Sequence, residues 1–161
     1  MSIVSLIMWI ITAGFGLYLL TIWLIEYDKD FQAAAATRLP PPVVAVHALA
    51  AVVGLVLWIA YLIWNNHKLA WYSLIAIGAA AAFGLIMGIR WASVYKEMQA
   101  SDQAARSRQT VPVAPAGYPS RPIVQLPPER SFPLPVVITH GIFAVMTLTL
   151  VLLTTLGVGG S

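Results

Sequence analysis

The sequence predicts an all-α polytopic membrane protein, a four-transmembrane-helix bundle built from a tandem duplicated helical hairpin. Three observations predict it: an apolar composition, four long uncharged runs, and an internal repeat. Of the 161 residues, 60% are hydrophobic and 9% charged, and the mean hydropathy is +0.83. A soluble domain needs about 25% charged residues to stay solvated, so a water-soluble fold is excluded. A transmembrane β-barrel would alternate apolar and polar residues over strands of about ten, whereas these runs are continuously apolar.

The first run covers residues 3–24, followed by 43–64, 69–89 and 134–156, and none contains Asp, Glu, Lys or Arg. Each matches the roughly 20 residues that cross a hydrocarbon core of about 30 Å. The first lacks a basic leading segment and is longer than the roughly 7–15 residues of a signal-peptide core, so it reads as a retained span. Past Arg90, polar helix-forming residues extend the third helix over 91–110. A Pro-rich connection over 111–133 follows, a composition suited to extended structure without its own core. The chain is one membrane domain, with repeat 1 at about 1–66 and repeat 2 at about 69–161. It contains no cysteine, which removes disulfides, thiolate metal sites and cysteine nucleophiles.

Charge orients the bundle. Lys29, Arg38, Arg90, Lys96, Arg106, Arg108, Arg121 and Arg130 fall in the connections after the first and third helices, leaving Lys68 on the other side. By the positive-inside rule those connections are cytoplasmic and both termini extracytoplasmic. The net charge of +3 is thus accounted for by topology beside an anionic leaflet, and no nucleic-acid partner is expected. Trp9, Trp23, Tyr27, Trp58, Trp64, Trp71, Tyr72, Trp91 and Tyr95 read mainly as an interfacial aromatic belt.

The repeat is visible without gaps. Residues 40–57 read PPPVVAVHALAAVVGLVL and residues 133–150 read PLPVVITHGIFAVMTLTL, pairing Pro40 with Pro133, Pro42 with Pro135, and His47 with His140. The first and third helices align as well, Ser5 with Ser73, Phe15 with Phe83, Gly16 with Gly84, Trp23 with Trp91 and Tyr27 with Tyr95. Two spans per unit give both copies the same topology, related by a pseudo-twofold axis along the membrane normal. Pro42 and Pro135 are expected to start helices. Each histidine lies five residues further on, about 7.5 Å along the axis at 1.5 Å per residue.

An ionisable residue inside a span needs a partner and is a functional candidate by default. Two at one depth, facing across an axis, match the way paired imidazoles hold haem iron. One haem b near the cytoplasmic face follows as the expectation, with His47 and His140 as iron ligands. Ala51 and Gly54 beyond His47, Ala144 and Thr147 beyond His140, and Gly16 and Gly84 on the other helices leave space for a flat macrocycle. Arg90 is placed to meet its propionates. Ala80, Gly84 and Gly88 also form a small-residue stripe, which serves close helix packing with no cofactor at all.

This plan resembles that of small four-helix membrane cytochromes b, which hold haem between histidines on facing helices. The likeness is architectural and covers the four helices without the Pro-rich connection. It implies electron transfer, alone or as a cytochrome-like subunit of a respiratory complex. Many such cytochromes carry two ligand pairs; here there is one, with His67 in the tight connection on the opposite side.

Other readings stay open. Each histidine can simply bond a carbonyl, an indole or a headgroup, making the chain a non-catalytic accessory or scaffold subunit that docks other membrane proteins. A pH sensor would use the same imidazoles. Zinc usually takes three or four protein ligands, more than this pair supplies. No carboxylate or lysine lies inside a span to serve ion transport, and no P-loop, GxSxG, HExxH or dinucleotide fingerprint supports a stand-alone enzyme.

Overall fold

Two proline clusters determine where the second and fourth helices begin. The computed structural model describes residues 1–27, 37–109 and 127–158. In it α1 spans Ser2–Glu26, α2 Pro41–Trp64, α3 His67–Gln109 and α4 Leu134–Thr155, with one 3-10 turn at Pro128–Ser131. All four α-helices are long and apolar enough to cross a membrane, and the described residues form no strand.

The Pro40 carbonyl accepts the N–H groups of Val43 and Val44 at 2.9 and 3.2 Å, and the Pro133 carbonyl those of Val136 and Val137 at 3.0 and 3.2 Å. Pro40 and Pro133 are therefore the capping residues. Pro42 and Pro135 sit inside the first turn, where a missing N–H leaves no intrahelical bond unmade.

α2 ends on Asn65, whose φ of 47° and ψ of 34° are left-handed. Asparagine tolerates that conformation better than a branched residue does. The Asn65 N–H bonds the Tyr61 carbonyl at 2.8 Å, and the Asn66 side chain accepts the Lys68 N–H at 3.1 Å, so one helix is closed and the next opened within two residues. α3 then continues unbroken to Gln109. The helix extension expected over 91–110 is thus present as part of α3 up to that residue. Asp28, Lys29, Asp30, Thr110, Arg121 and the Pro-rich connection as far as residue 126 lie outside the described residues.

α2 packs most closely on α3 and α1 on α4, while α1 with α2 and α3 with α4 meet along narrower seams. Among the described residues α1 does not closely approach α3, nor α2 α4, so each of those pairs lies on a diagonal. The tight pairs therefore cross the two sequence repeats. A seam separates the α2–α3 pair from the α1–α4 pair.

The outer surface is apolar, with Ile10, Leu17, Leu49, Val56, Ile75, Leu85, Ile89, Ile142 and Val145 all exposed. Contiguous apolar area of that extent is not left facing water by soluble monomers. Polar atoms turn inward: Ser73 bonds the Gly54 carbonyl across α2–α3 at 2.8 Å, and the Thr12 and Thr147 hydroxyls bond across α1–α4 at 3.0 Å. Small residues at these contacts let backbones approach.

Towards the end bearing the termini, the core is Trp9, Trp58, Ala70, Ile77 and Val151. The belt expectation is corrected for four tryptophans. Trp9, Trp23, Trp58 and Trp91 are buried inside the bundle, whereas Trp64, Trp71 and Tyr72 are exposed near the α2–α3 turn. The Trp58 N–H is accommodated in the interior because it reaches the Ser2 carbonyl at 3.2 Å.

Candidate functional site

His47 is set by α2 and His140 by α4, helices on one diagonal, and both side chains point into the seam. Their ring centres are 6.3 Å apart and their planes inclined at 71°. The Nδ1 atom of His47 lies 2.8 Å from the Ala80 carbonyl oxygen of α3, and that of His140 lies 3.0 Å from the Thr12 carbonyl oxygen of α1.

Those two carbonyls are equivalent in the α1–α3 alignment, where Thr12 matches Ala80 as Gly16 matches Gly84. The same interaction is thus built twice. A carbonyl can only accept, so each Nδ1 carries the proton and donates. In a neutral imidazole this leaves Nε2 with a free lone pair. Neither Nε2 has a hydrogen-bond partner among the described residues.

Gly16 and Gly84 follow from that geometry. In a helix the residue four positions after a carbonyl lies directly over it on the same face, so an imidazole bonded to Thr12 or Ala80 must rest on residue 16 or 84. A Cβ added to Gly16 would lie 3.0 Å from His140 Cε1, and one added to Gly84 would lie 3.0 Å from His47 Cε1. Only glycine leaves the rings where they are.

The remaining expected site residues are distributed around this pair. Ala51 and Ala144 are half-buried one turn beyond the histidines. Gly54 is two turns beyond His47, and its face is covered by Trp9, whose indole a Cβ there would meet at 3.0 Å. Space on that side is thus filled by tryptophan. Gly88, the last of the small-residue stripe, would meet nothing within 4 Å. Exposed His67 packs edge-on to Trp71, ring centres 6.4 Å apart, at the far end from the pair.

A polar network closes the opposite end, where α2 and α4 begin. The Glu129 carboxylate is fully buried and accepts the Arg38 N–H and the Thr37 hydroxyl, the latter at 3.2 Å. The Trp91 N–H donates to the Glu129 carbonyl at 3.2 Å. Arg38 forms a bidentate pair with Glu97 at 2.8 and 2.7 Å, and Arg130 lies 3.8 Å from Asp102. The exposed Arg90 donates to the Arg38 carbonyl at 3.0 Å. These contacts join the segment before α2 to the 3-10 turn before α4 and to α3.

Sequence reasoning missed Glu129, whose burial beside four prolines has no periodic signature. It also missed the Thr12 and Ala80 carbonyls, although the matched glycines one turn on were the available signal. Among the described residues no group of three or more His, Cys, Asp or Glu side chains is arranged to hold a metal ion. Comparison with known proteins yields no matching family model, no matching curated protein and no matching solved structure.

Proposed function

We propose that the chain is a membrane-embedded electron-transfer protein, or the cytochrome-like subunit of a respiratory complex, holding one haem b between His47 and His140. The observation that carries this reading is the imidazole pair itself, two rings 6.3 Å apart with both Nδ1 protons committed to backbone carbonyls. A metal–imidazole bond is about 2.0–2.1 Å, so two rings on opposite sides of one metal have centres roughly 6 Å apart. Donation from the remote ring nitrogen to a carbonyl is the usual support of a ligating histidine, holding its tautomer and orientation. Two histidines suit iron whose other positions a porphyrin fills, and fall short of a bare zinc site.

The seam between the α2–α3 and α1–α4 pairs supports insertion of a flat group, with one histidine contributed by each pair. Haem would supply reversible one-electron chemistry. The protein's part is to hold both imidazoles by the Thr12 and Ala80 carbonyls, clear the ring positions with Gly16 and Gly84, and exclude water. Trp9 and Trp58 fill the core on the far side, which fits one haem and no second site.

In this reading the chain is a duplicated hairpin in the lipid bilayer, its termini extracytoplasmic and its Arg38–Glu97 end cytoplasmic. Redox partners would then reach the site from the cytoplasmic side, and other membrane subunits would pack on the apolar outer surface within the bilayer. A reduced-minus-oxidised absorption spectrum of the protein, expressed with ample haem, tests the proposal. A b-type band that vanishes in His47→Ala and in His140→Ala is expected; a wild-type protein without one refutes it and leaves the imidazoles as interhelical clamps.

A further inference from the structure

The indole N–H of Trp23 is buried and has no hydrogen-bond partner among the described residues. A buried donor left unmade costs about 1–3 kcal/mol, and native interiors keep few of them. Its repeat equivalent shows what such an indole ordinarily does. Trp91 stacks on the tyrosine four residues along, and its N–H is satisfied by the Glu129 carbonyl. Trp23 packs on Tyr27 with ring centres 4.5 Å apart and planes tilted by 37°, and has no such acceptor.

Trp23 stands on the inward face of α1 that also carries Trp9, Thr12 and Gly16. It is seven residues past Gly16, two turns or about 10 Å closer to the Arg38–Glu97 end. Long side chains on a helix lean towards its N-terminus, and for α1 that direction leads back to the imidazole layer. Several other donors near this end are engaged: Arg38 with Glu97, Arg130 with Asp102, Trp91 with Glu129, and Arg90 in part with the Arg38 carbonyl.

We propose that Trp23 donates its indole N–H to a carboxylate of the bound cofactor, fixing one haem propionate at the α1 side of the site. This inference rests on the haem reading. Charged carboxylates avoid the hydrocarbon interior, so the propionate edge turns to the aqueous end where Trp23 lies. An N–H bonded to a carboxylate is charge-assisted and stronger than a neutral bond.

The test uses full-length protein in nanodiscs as wild type, Trp23→Phe and Trp91→Phe, read by absorption and by the propionate bending band in resonance Raman. Trp23→Phe is expected to keep its b-type spectrum, shift the propionate band, lower the midpoint potential and weaken haem binding about tenfold, the equivalent of one charge-assisted bond. Trp91→Phe should leave the band in place. Benzothienylalanine at position 23 keeps the indole shape without the N–H, and serves if the phenylalanine variant does not fold. An unchanged propionate band with haem still bound overturns this inference alone. A wild-type protein without haem overturns the parent reading, and this one with it.

Discussion

The imidazole rings of His47 and His140 stand 6.3 Å apart across the bundle with their planes inclined at 71°. Carbonyls of two different helices hold those planes, so their mutual angle is a property of the fold rather than of any ligand. On the proposed haem reading, two ligating imidazoles held at a large mutual angle would give ferric iron a strongly anisotropic low-spin signal. Electron paramagnetic resonance of the oxidised protein should show that signal, and it should disappear in both His47→Ala and His140→Ala. A signal typical of parallel imidazoles would mean that the rings rotate on binding and lose their carbonyl bonds.

Gly84→Ala and Gly88→Ala distinguish a histidine seat from a general helix-packing stripe. A methyl at position 84 would press on His47 Cε1 at 3.0 Å, whereas one at position 88 meets open space. Overpacking costs about 1–3 kcal/mol, so Gly84→Ala should lower thermal stability in detergent and displace the imidazole. Gly88→Ala should stay within about 0.5 kcal/mol of wild type. Equal effects from the two substitutions would mean that glycine serves close helix approach only. Gly16→Ala should repeat the Gly84→Ala result through His140.

Glu129 joins the segment before α2 to the turn before α4, accepting the Arg38 N–H and the Thr37 hydroxyl in a fully buried setting. Glu129→Ala strands the Arg38 N–H, while the Thr37 hydroxyl keeps the Leu39 carbonyl at 3.2 Å, and should cost about 1–3 kcal/mol of unfolding free energy. Glu129→Gln retains a carbonyl acceptor and should cost less. Thermal unfolding of the two variants side by side gives the order, and the reverse order would mean that the added amide N–H group finds no acceptor in the buried site and costs more than the retained carbonyl returns. By contrast the exposed Arg38–Glu97 pair should contribute no more than about 1 kcal/mol, readable from Arg38→Ala.

The four helices were legible because hydropathy over 20 residues is a one-dimensional signal, and the start sites of α2 and α4 because proline leaves so few alternatives in a helix. His47 and His140 were legible because the repeat placed them at one depth. What composition could not provide was pairing between helices. An apolar helix presents similar residues on every face, so nothing in the sequence indicated that α1 would pack closely on α4 rather than on α2. Gly54 looked equivalent to Gly16 and Gly84 as a small residue, and only the position of Trp9 separates them. Trp58 and Trp91 misled for a related reason, since an indole whose N–H finds a backbone carbonyl is accommodated inside the bundle as well as at a headgroup.

The direction of the bundle decides from which side the proposed haem exchanges electrons, and the chain is well suited to measuring it. It has no cysteine, so single cysteines can be introduced without removing native ones. Lys96 and Lys68 are both exposed, on α3 at opposite ends of its apolar segment. On the proposed orientation, which rests on the excess of Lys and Arg at the Lys96 end, that end faces the cytoplasm. Lys68→Cys should therefore react with a membrane-impermeant maleimide in intact cells, and Lys96→Cys only after permeabilisation. The opposite pattern would invert the bundle and bring His47 and His140 near the outer face, so that the redox partner would have to be extracytoplasmic.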